Sequence, residues 1–178
     1  KMSFTEAFQQ LPPAELETFY RTVFMQMDSP YGVEIRQNYF AQTLRKMGRN
    51  VTIGCGVKII NPQYITLGND VHIDDHCTLI ARSKLGLTLL EGATLKYGCY
   101  LDTESDVGYI EVGKHVYIGT GCCLHGHQGL VIGDDTLLAQ NITITPFSHC
   151  FDDPARTITT QGGHTRKVTI GKDSYQFS

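Results

Sequence analysis

The stretch ITLGNDVHIDDHCTLIAR, residues 65–82, consists of three consecutive units of six residues. Each unit begins with an apolar or small residue and has an aliphatic residue at its third position. Side chains alternate between the two faces of an extended strand, so the first and third residues of a unit point to the same side. The polar residues after the third position are typical of a turn. Three such units therefore predict three short strands that close one triangular coil.

The same pattern covers most of the chain, from Val51 to Ile144, and resumes at Val168. The third position of every unit is aliphatic: Ile53, Ile59, Leu67, Ile73, Leu79, Leu89, Leu95, Leu101, Val112, Ile118, Leu124, Ile132, Leu138, Ile144 and Ile170. Complete triplets of units begin at Ile65, Leu87, Ile110 and Leu130. Stacked coils bury the apolar faces of their neighbours. The repeat predicts an all-β solenoid, a parallel β-helix, over residues 49–178.

Three of the six cysteines take equivalent positions in this repeat. Cys77, Cys99 and Cys122 each begin the third strand of their coil, so we expect them to form a ladder inside the solenoid. The chain has no Cys-x-x-Cys pair, and a buried thiol behaves as a small apolar group. Core packing in a reducing compartment is favoured over redox or metal chemistry.

The first 48 residues lack the repeat and are predicted to form a helical segment. The sequence LPPAELETFYRTVFMQM suits a helix with Pro13 in its first turn and acidic residues after it. A second helix is predicted from about Val33 to Met47, with Phe40 and Leu44 on one face. These helices are expected to cap the open end of the solenoid.

Composition narrows the possible partners. The net charge is −3, so the composition gives no indication of a basic surface that would bind nucleic acid. Hydrophobic residues make up 41% of the chain, which is enough for a substantial core. The apolar runs are too short for a membrane span, and the first residues do not resemble a secretory signal. These features predict a cytoplasmic protein with no nucleic-acid partner and no membrane span.

One long segment interrupts the repeat, and it is rich in polar groups. SHCFDDPARTITTQGGHTRK at residues 148–167 separates ITITPF from the unit at Val168, which gives an inserted loop at about 146–167. It contains His149, Gln161 and His164 in a chain with only 19% charged residues. Long excursions from a regular scaffold are often functional. This loop is the candidate active-site loop.

The run LVIGDDTLLAQNITITPFSH, the later D-P-x-x-x-I-x-x-Q-G and the final V-x-I-G resemble the hexapeptide-repeat acyltransferases. The resemblance covers roughly residues 50–173, and it is strongest to maltose/galactoside O-acetyltransferase-like enzymes and to surface-polysaccharide O-acetyltransferases. It implies a left-handed β-helix, a homotrimer, acetyl-CoA as co-substrate and no metal. It also implies O-acetylation of a sugar or polysaccharide-precursor hydroxyl, with His149 as general base.

Four further residues are candidate substrate contacts by the same resemblance. Asn141 precedes the strand that leads to His149, although an Asn selected for a tight turn is an equal alternative. His127 lies near a position where galactoside enzymes have an acidic acceptor contact. Gln161 matches the family loop, where it would either bind substrate or anchor the loop. Tyr175 falls where these enzymes often have a Trp.

Two other functions remain open from the sequence. The γ-class carbonic anhydrases use such a solenoid to hold zinc with three histidines, and CLHGHQGLVIGDDTLLA resembles their ligand segment with His125 at one ligand position. Asp102 and Thr120 occupy the other two positions. The chain also stops inside the first coil after the loop, where Gln176 takes an inward position. A non-catalytic or truncated solenoid module is therefore the second alternative.

Overall fold

Three parallel sheets form the three sides of a triangular coil, and the chain passes from one sheet to the next in a fixed order. The computed structural model describes residue 10 and residues 12–177. Every pair of neighbouring strands within these three sheets is parallel. The predicted all-β solenoid is therefore confirmed.

The strands are short, and each side of the coil is one ladder. The first sheet contains β1 (Lys46–Met47), β4 (Ile65–Leu67), β7 (Gly86–Leu89), β10 (Tyr109–Val112), β13 (Leu130–Ile132) and β18 (Val168–Ile170). The second contains β2 (Thr52–Ile53), β5 (His72–Ile73), β8 (Thr94–Leu95), β11 (Tyr117–Ile118), β14 (Leu137–Leu138) and β19 (Tyr175–Gln176). The third contains β3 (Lys58–Ile60), β6 (Thr78–Ile80), β9 (Tyr100–Asp102), β12 (Cys123–His125) and β15 (Thr143–Ile144).

The aliphatic third positions form the core, as the repeat predicts. All of them from Ile53 to Leu138 are buried, and most are fully inaccessible. Ile144 and Ile170, which belong to the last two coils, are half-buried and pack against this core. The register aligns equivalent positions, for example Leu101 opposite Leu79 and Leu124. Full burial of one such side chain contributes about 1.5–3 kcal/mol, so the stacked ladders supply the main stabilisation.

The predicted cysteine ladder is present in the core. Cys77, Cys99 and Cys122 have no accessible surface. Their thiols donate to backbone carbonyls of the following coil: the sulfur of Cys99, for example, lies 3.1 Å from the carbonyl oxygen of Gly119. These contacts satisfy a weakly polar group in an apolar interior.

Two α-helices pack against the first coil. Helix α1 (Pro13–Thr22) begins with the predicted proline, and a 3-10 turn (Phe24–Gln26) leads to helix α2 (Pro30–Thr43). The rings of Tyr20 and Tyr39 stack between the two helices with centroids 3.7 Å apart. Across the described part of the chain, no helix is both long and apolar enough to pass through a membrane.

The predicted bounds of the second helix were wrong at both ends. The helix begins at Pro30 rather than Val33, because the Ser29 hydroxyl accepts a hydrogen bond from the Gly32 amide and caps it. It ends at Thr43 rather than Met47. The backbone of Met47 pairs instead with Leu67 in the first sheet, so the ladder begins before the predicted start at residue 49.

Candidate active site

The interruption of the repeat forms an antiparallel hairpin that projects from the solenoid. Strand β16 (Phe147–His149) pairs with β17 (Gly163–Thr165), so that His149 lies opposite Gly163. A 3-10 turn (Ile158–Thr160) lies in the loop between them. A groove of about 430 Å³ runs along the base of the hairpin. Its lining includes Phe147, His164 and Arg166.

His149 lies at the end of strand β16 with an exposed side chain. Its ring contacts the Phe147 ring edge to face, with centroids 4.7 Å apart and an interplanar angle of 82°. Among the described residues, none donates a hydrogen bond to the imidazole or accepts one from it. The Phe147 ring therefore packs against an imidazole that makes no hydrogen bond to a described residue.

A row of rings connects this hairpin to the outer face of the third sheet. The His127 ring lies 5.5 Å from Phe147 and 6.0 Å from His125, measured between centroids. The Tyr100 ring continues the row, 5.9 Å from His125. Of the four predicted substrate contacts, His127 is the one that these ring contacts connect to the strand carrying His149.

Gln161 anchors the loop through its side-chain amide. The Gln161 Nε2 donates to the carbonyl oxygens of Asp153 and Arg156, each at 3.0 Å. Its Oε1 accepts a hydrogen bond from the Asp153 amide, also at 3.0 Å. These three bonds use most of the polar capacity of the side chain. Of the two roles predicted for Gln161, loop anchoring is the one that these contacts support.

Asn141 occupies a corner of the coil. Its backbone has a left-handed φ of 56°, and its backbone amide donates to the Thr120 carbonyl at 2.8 Å. One coil earlier the same corner holds Gly121, where an added Cβ would lie 2.4 Å from the Asn141 Oδ1. Asn tolerates the left-handed region better than most residues. These observations favour the turn role for Asn141 over an acceptor contact.

Tyr175 lies on a different side of the coil from the third-sheet ring row. It pairs with Leu137 in the second sheet, and its ring contacts Phe177 with centroids 4.4 Å apart. It lines a separate shallow groove of about 290 Å³ together with Tyr117 and Gln140. The neighbouring Gln176 takes the inward register of Leu138, as predicted, but remains exposed.

Comparison with known proteins identifies the fold. No protein-family model matches the chain, and no curated protein matches its sequence. A maltose O-acetyltransferase from Clostridium difficile 630 superimposes with a TM-score of 0.62 at 15% identity, over 74% of both chains. A hexapeptide-repeat-containing acetyltransferase from Vibrio cholerae O1 biovar eltor, complexed with acetyl coenzyme A, gives a TM-score of 0.62 at 12% identity, over 92% of this chain and 84% of that one. A galactoside acetyltransferase in complex with coenzyme A gives 0.56 at 16% identity, over 79% and 80%.

The chain has the hexapeptide-repeat acetyltransferase fold. This is the left-handed β-helix that the resemblance implied. Two of the residues considered for a carbonic anhydrase zinc site, Asp102 and His125, already have side-chain partners. Asp102 accepts from the Arg82 guanidinium, and both ring nitrogens of His125 contact other side chains. Within residue 10 and residues 12–177, no cluster of three or more potential ligands could hold a metal ion.

On the acetyltransferase fold, the outer face of the third sheet carries a polar network that the sequence analysis missed. The Arg82 guanidinium contacts both carboxylate oxygens of Asp102, at 2.6 to 3.1 Å, and the Tyr100 hydroxyl donates to one of them. Burial works to raise the pKa of the Asp102 carboxyl, but these donors and the Glu104 amide hold it below its ordinary value. The signal that could have revealed the network is the register, which aligns Asp102 with His125 on consecutive coils.

Proposed function

We propose that this protein is an acetyl-CoA-dependent O-acetyltransferase that acts on a hydroxyl of a sugar or polysaccharide precursor, with His149 as the general base. The observation that carries the proposal is the His149 imidazole, exposed at the end of the hairpin where the repeat breaks, with neither nitrogen hydrogen-bonded to a described residue. Two neighbours in fold were solved with acetyl coenzyme A or coenzyme A, which supports the choice of donor.

The proposed reaction needs a base because a sugar hydroxyl is a weak nucleophile while it carries its proton. A neutral imidazole has an available lone pair and titrates near neutral pH in its ordinary state. His149 takes the hydroxyl proton as the oxygen attacks the thioester carbonyl, and it returns that proton to the coenzyme A sulfur as the carbon–sulfur bond breaks. The acetyl group ends on the acceptor oxygen. General-base help of this kind contributes about 10²–10⁴-fold to the rate.

The groove at the base of the hairpin is the proposed place for part of the donor. Arg166 lines this groove, its side chain is exposed, and no described acidic side chain forms an ion pair with it. A guanidinium is suited to phosphate groups such as those of coenzyme A. Phe147 also lines this groove, and its ring contacts that of His127; both residues are proposed to contact the acceptor. Tyr175 is proposed to contact a more distant part of the substrate.

A homotrimer in the cytoplasm is part of the same proposal, by analogy with the family that the sequence resembles. Size-exclusion chromatography with light scattering measures the assembly directly. A monomer at micromolar concentration would remove the trimer from the proposal while leaving the chemistry of His149 to be judged by its own assay.

The test is acetyl transfer from acetyl-CoA to maltose or methyl β-galactoside, followed by mass spectrometry of the acetylated sugar. We expect His149→Ala to lower turnover by about 10²–10⁴-fold without altering the circular dichroism spectrum. His115→Asn is the matched control, because His115 has a left-handed φ that Asn tolerates and contacts Asp135 on the surface. Full activity of His149→Ala would refute the assignment of the base. Absence of acetyl-CoA binding in calorimetry would favour the non-catalytic module instead.

A further inference from the structure

The adjacent residues Cys122 and Cys123 have opposite environments. The Cys122 side chain is fully buried in the cysteine ladder. Because side chains alternate along strand β12, Cys123 points to the outer face of the third sheet. It is half-buried there. On the same face, Cys123 pairs with Tyr100 in the preceding coil. In the following coil it pairs with Thr143, which is small and exposed. Cys123 is therefore partly accessible on this face, unlike Cys122.

Cys123, His125 and Glu104 form a linear hydrogen-bonded series. The Cys123 sulfur lies 3.1 Å from the Nε2 of His125, and the Nδ1 of the same ring lies 2.6 Å from the Glu104 Oε1. An ionised carboxylate can only accept a hydrogen bond, so the nitrogen that faces it has to carry the hydrogen. Glu104 therefore selects the His125 tautomer with hydrogen on Nδ1. The bare Nε2 then faces the thiol. Because the sulfur and the carboxylate lie on opposite sides of the ring, the three groups do not converge on a single metal ion.

The surrounding network holds Glu104 in place. Glu104 has a left-handed φ of 62°, which is uncommon for a residue with a side chain. Its amide donates to the Asp102 Oδ1 at 2.8 Å, and the Arg82 guanidinium fixes Asp102 in turn. The Glu104 side chain is only 28% exposed and that of His125 only 19%. The series is therefore held by the fold rather than formed by mobile surface groups.

We propose that Cys123 is a nucleophile that accepts an acyl group from an acyl thioester, with His125 as its base and Glu104 as the residue that positions His125. The inference rests on the proposed function only for the class of the donor. As the sulfur attacks, the thiol proton passes to His125 Nε2. The new bond joins Cys123 to the acyl carbon, and the bond from that carbon to the donor sulfur breaks. His125 returns the proton to the leaving thiolate.

The electrostatics of the thiol agree with attack assisted by a base. Burial, followed by the negative charges of Glu104 and Asp102, raises the pKa of the Cys123 thiol above its ordinary value. A raised pKa disfavours spontaneous ionisation of the thiol, so in this proposal its reactivity depends on transfer of the proton to His125. This dependence separates Cys123 from a thiol that reacts as a free thiolate.

The experiment uses the full chain and S-acetyl-N-acetylcysteamine, a thioester that carries no nucleotide. Peptide mapping by mass spectrometry then follows acetylation of each cysteine with time. We expect acetylation of Cys123 to fall about 10²-fold in His125→Ala and to recover when imidazole is added. Cys150 is the reference within the same molecule. Its sulfur lies 3.2 Å from the Nε2 of His164, and its acetylation rate should not change.

The positioning role of Glu104 has a separate spectroscopic readout. The ¹⁵N chemical shifts of neutral His125 should report hydrogen on Nδ1 in the wild-type protein. Glu104→Gln should remove that preference and slow acetylation of Cys123 about tenfold, with an unchanged circular dichroism spectrum. A merely structural Glu104 would leave the tautomer unaltered, and that result would overturn its assignment.

Two results would overturn the role of Cys123: no acetyl group on Cys123 after long incubation, or an acetylation rate that His125→Ala leaves unchanged. The His149→Ala variant distinguishes this failure from a failure of the proposed function. We expect it to retain acetylation of Cys123 while it loses transfer to the sugar. Loss of sugar transfer together with unreactive Cys123 would leave the general base standing and remove the nucleophile.

Discussion

Replacement of Arg36 by methionine tests how the N-terminal helices are held on the first coil. Arg36 is 1% exposed, and no described acidic side chain forms a salt bridge with it. Its Nε donates to the Ile53 carbonyl at 2.9 Å, and its Nη1 donates to the carbonyls of Phe24 and Met27 at 3.1 and 2.8 Å. One guanidinium thus joins helix α2, the segment before it and strand β2.

The expected cost follows from those three bonds. A hydrogen bond from a charged donor contributes about 1.5–3 kcal/mol, and a buried carbonyl left without a partner costs about 1–3 kcal/mol. The bonds share one side chain and are not additive, and methionine keeps the apolar stem of Arg36. We therefore expect Arg36→Met to destabilise the contact between helices and coil by about 3–5 kcal/mol.

Amide hydrogen exchange measures this loss where it occurs. The stability of a solenoid is distributed over nearest neighbours, so the helices should open without the distant coils. Exchange of the helix α2 amides should accelerate by at least about 10²-fold, since 1.4 kcal/mol corresponds to tenfold. Arg21→Met is the control, because the Arg21–Glu17 pair is exposed and should contribute less than about 1 kcal/mol. Equal effects of the two substitutions would refute the reasoning.

Two further predictions concern acid stability and the loop. The folded-state pKa of Asp102 is lowered, so its stabilising contribution is complete above the ordinary carboxyl pKa of about 3.9 and is lost as the pH falls through the folded value. Denaturation curves from pH 6 to pH 2.5 should show a smaller loss for Asp102→Asn than for wild type or the exposed control Asp106→Asn. In the loop, Gln161→Ala removes three hydrogen bonds and should speed tryptic cleavage after Arg156 by about tenfold, with Gln140→Ala as control. An unchanged cleavage rate would contradict the anchoring role.

The fold was predictable because burial in a solenoid repeats at fixed positions. Leu79, Leu101 and Leu124 share a third position in consecutive units, and the register aligns them as partners. Even a less apolar residue such as Cys99 could be assigned to the interior from its place in the unit. Arg36 could not, because a charged residue in a helical sequence normally indicates surface. Two of the carbonyls that it satisfies, those of Phe24 and Met27, lie outside the repeat, and the pattern of the repeat does not relate the third, that of Ile53, to a residue in a helix.

The candidate site was predictable only in part, for a related reason. His149 stands out because it follows the point where the repeat stops, and a break is visible in the sequence. Glu104 and His125 are 21 residues apart. Their contact depends on a left-handed turn after strand β9, which no local pattern around Glu104 indicates. For Gln161 and Asn141, the sequence left two roles open, and only the hydrogen bonds and backbone angle favour one.

The geometry of the coil restricts where chemistry can occur in this protein. Inward positions are filled by the core, so reactive groups have to lie at outward positions or in segments that leave the repeat. Outward residues of successive coils stack in register, which brings Tyr100 and Cys123 side by side although they are far apart in sequence. The ring contacts from His125 through His127 to Phe147 continue this outer face to the strand that carries His149. The outer face of the third sheet therefore combines both kinds of position, and the proposed base and the proposed nucleophile belong to one continuous surface.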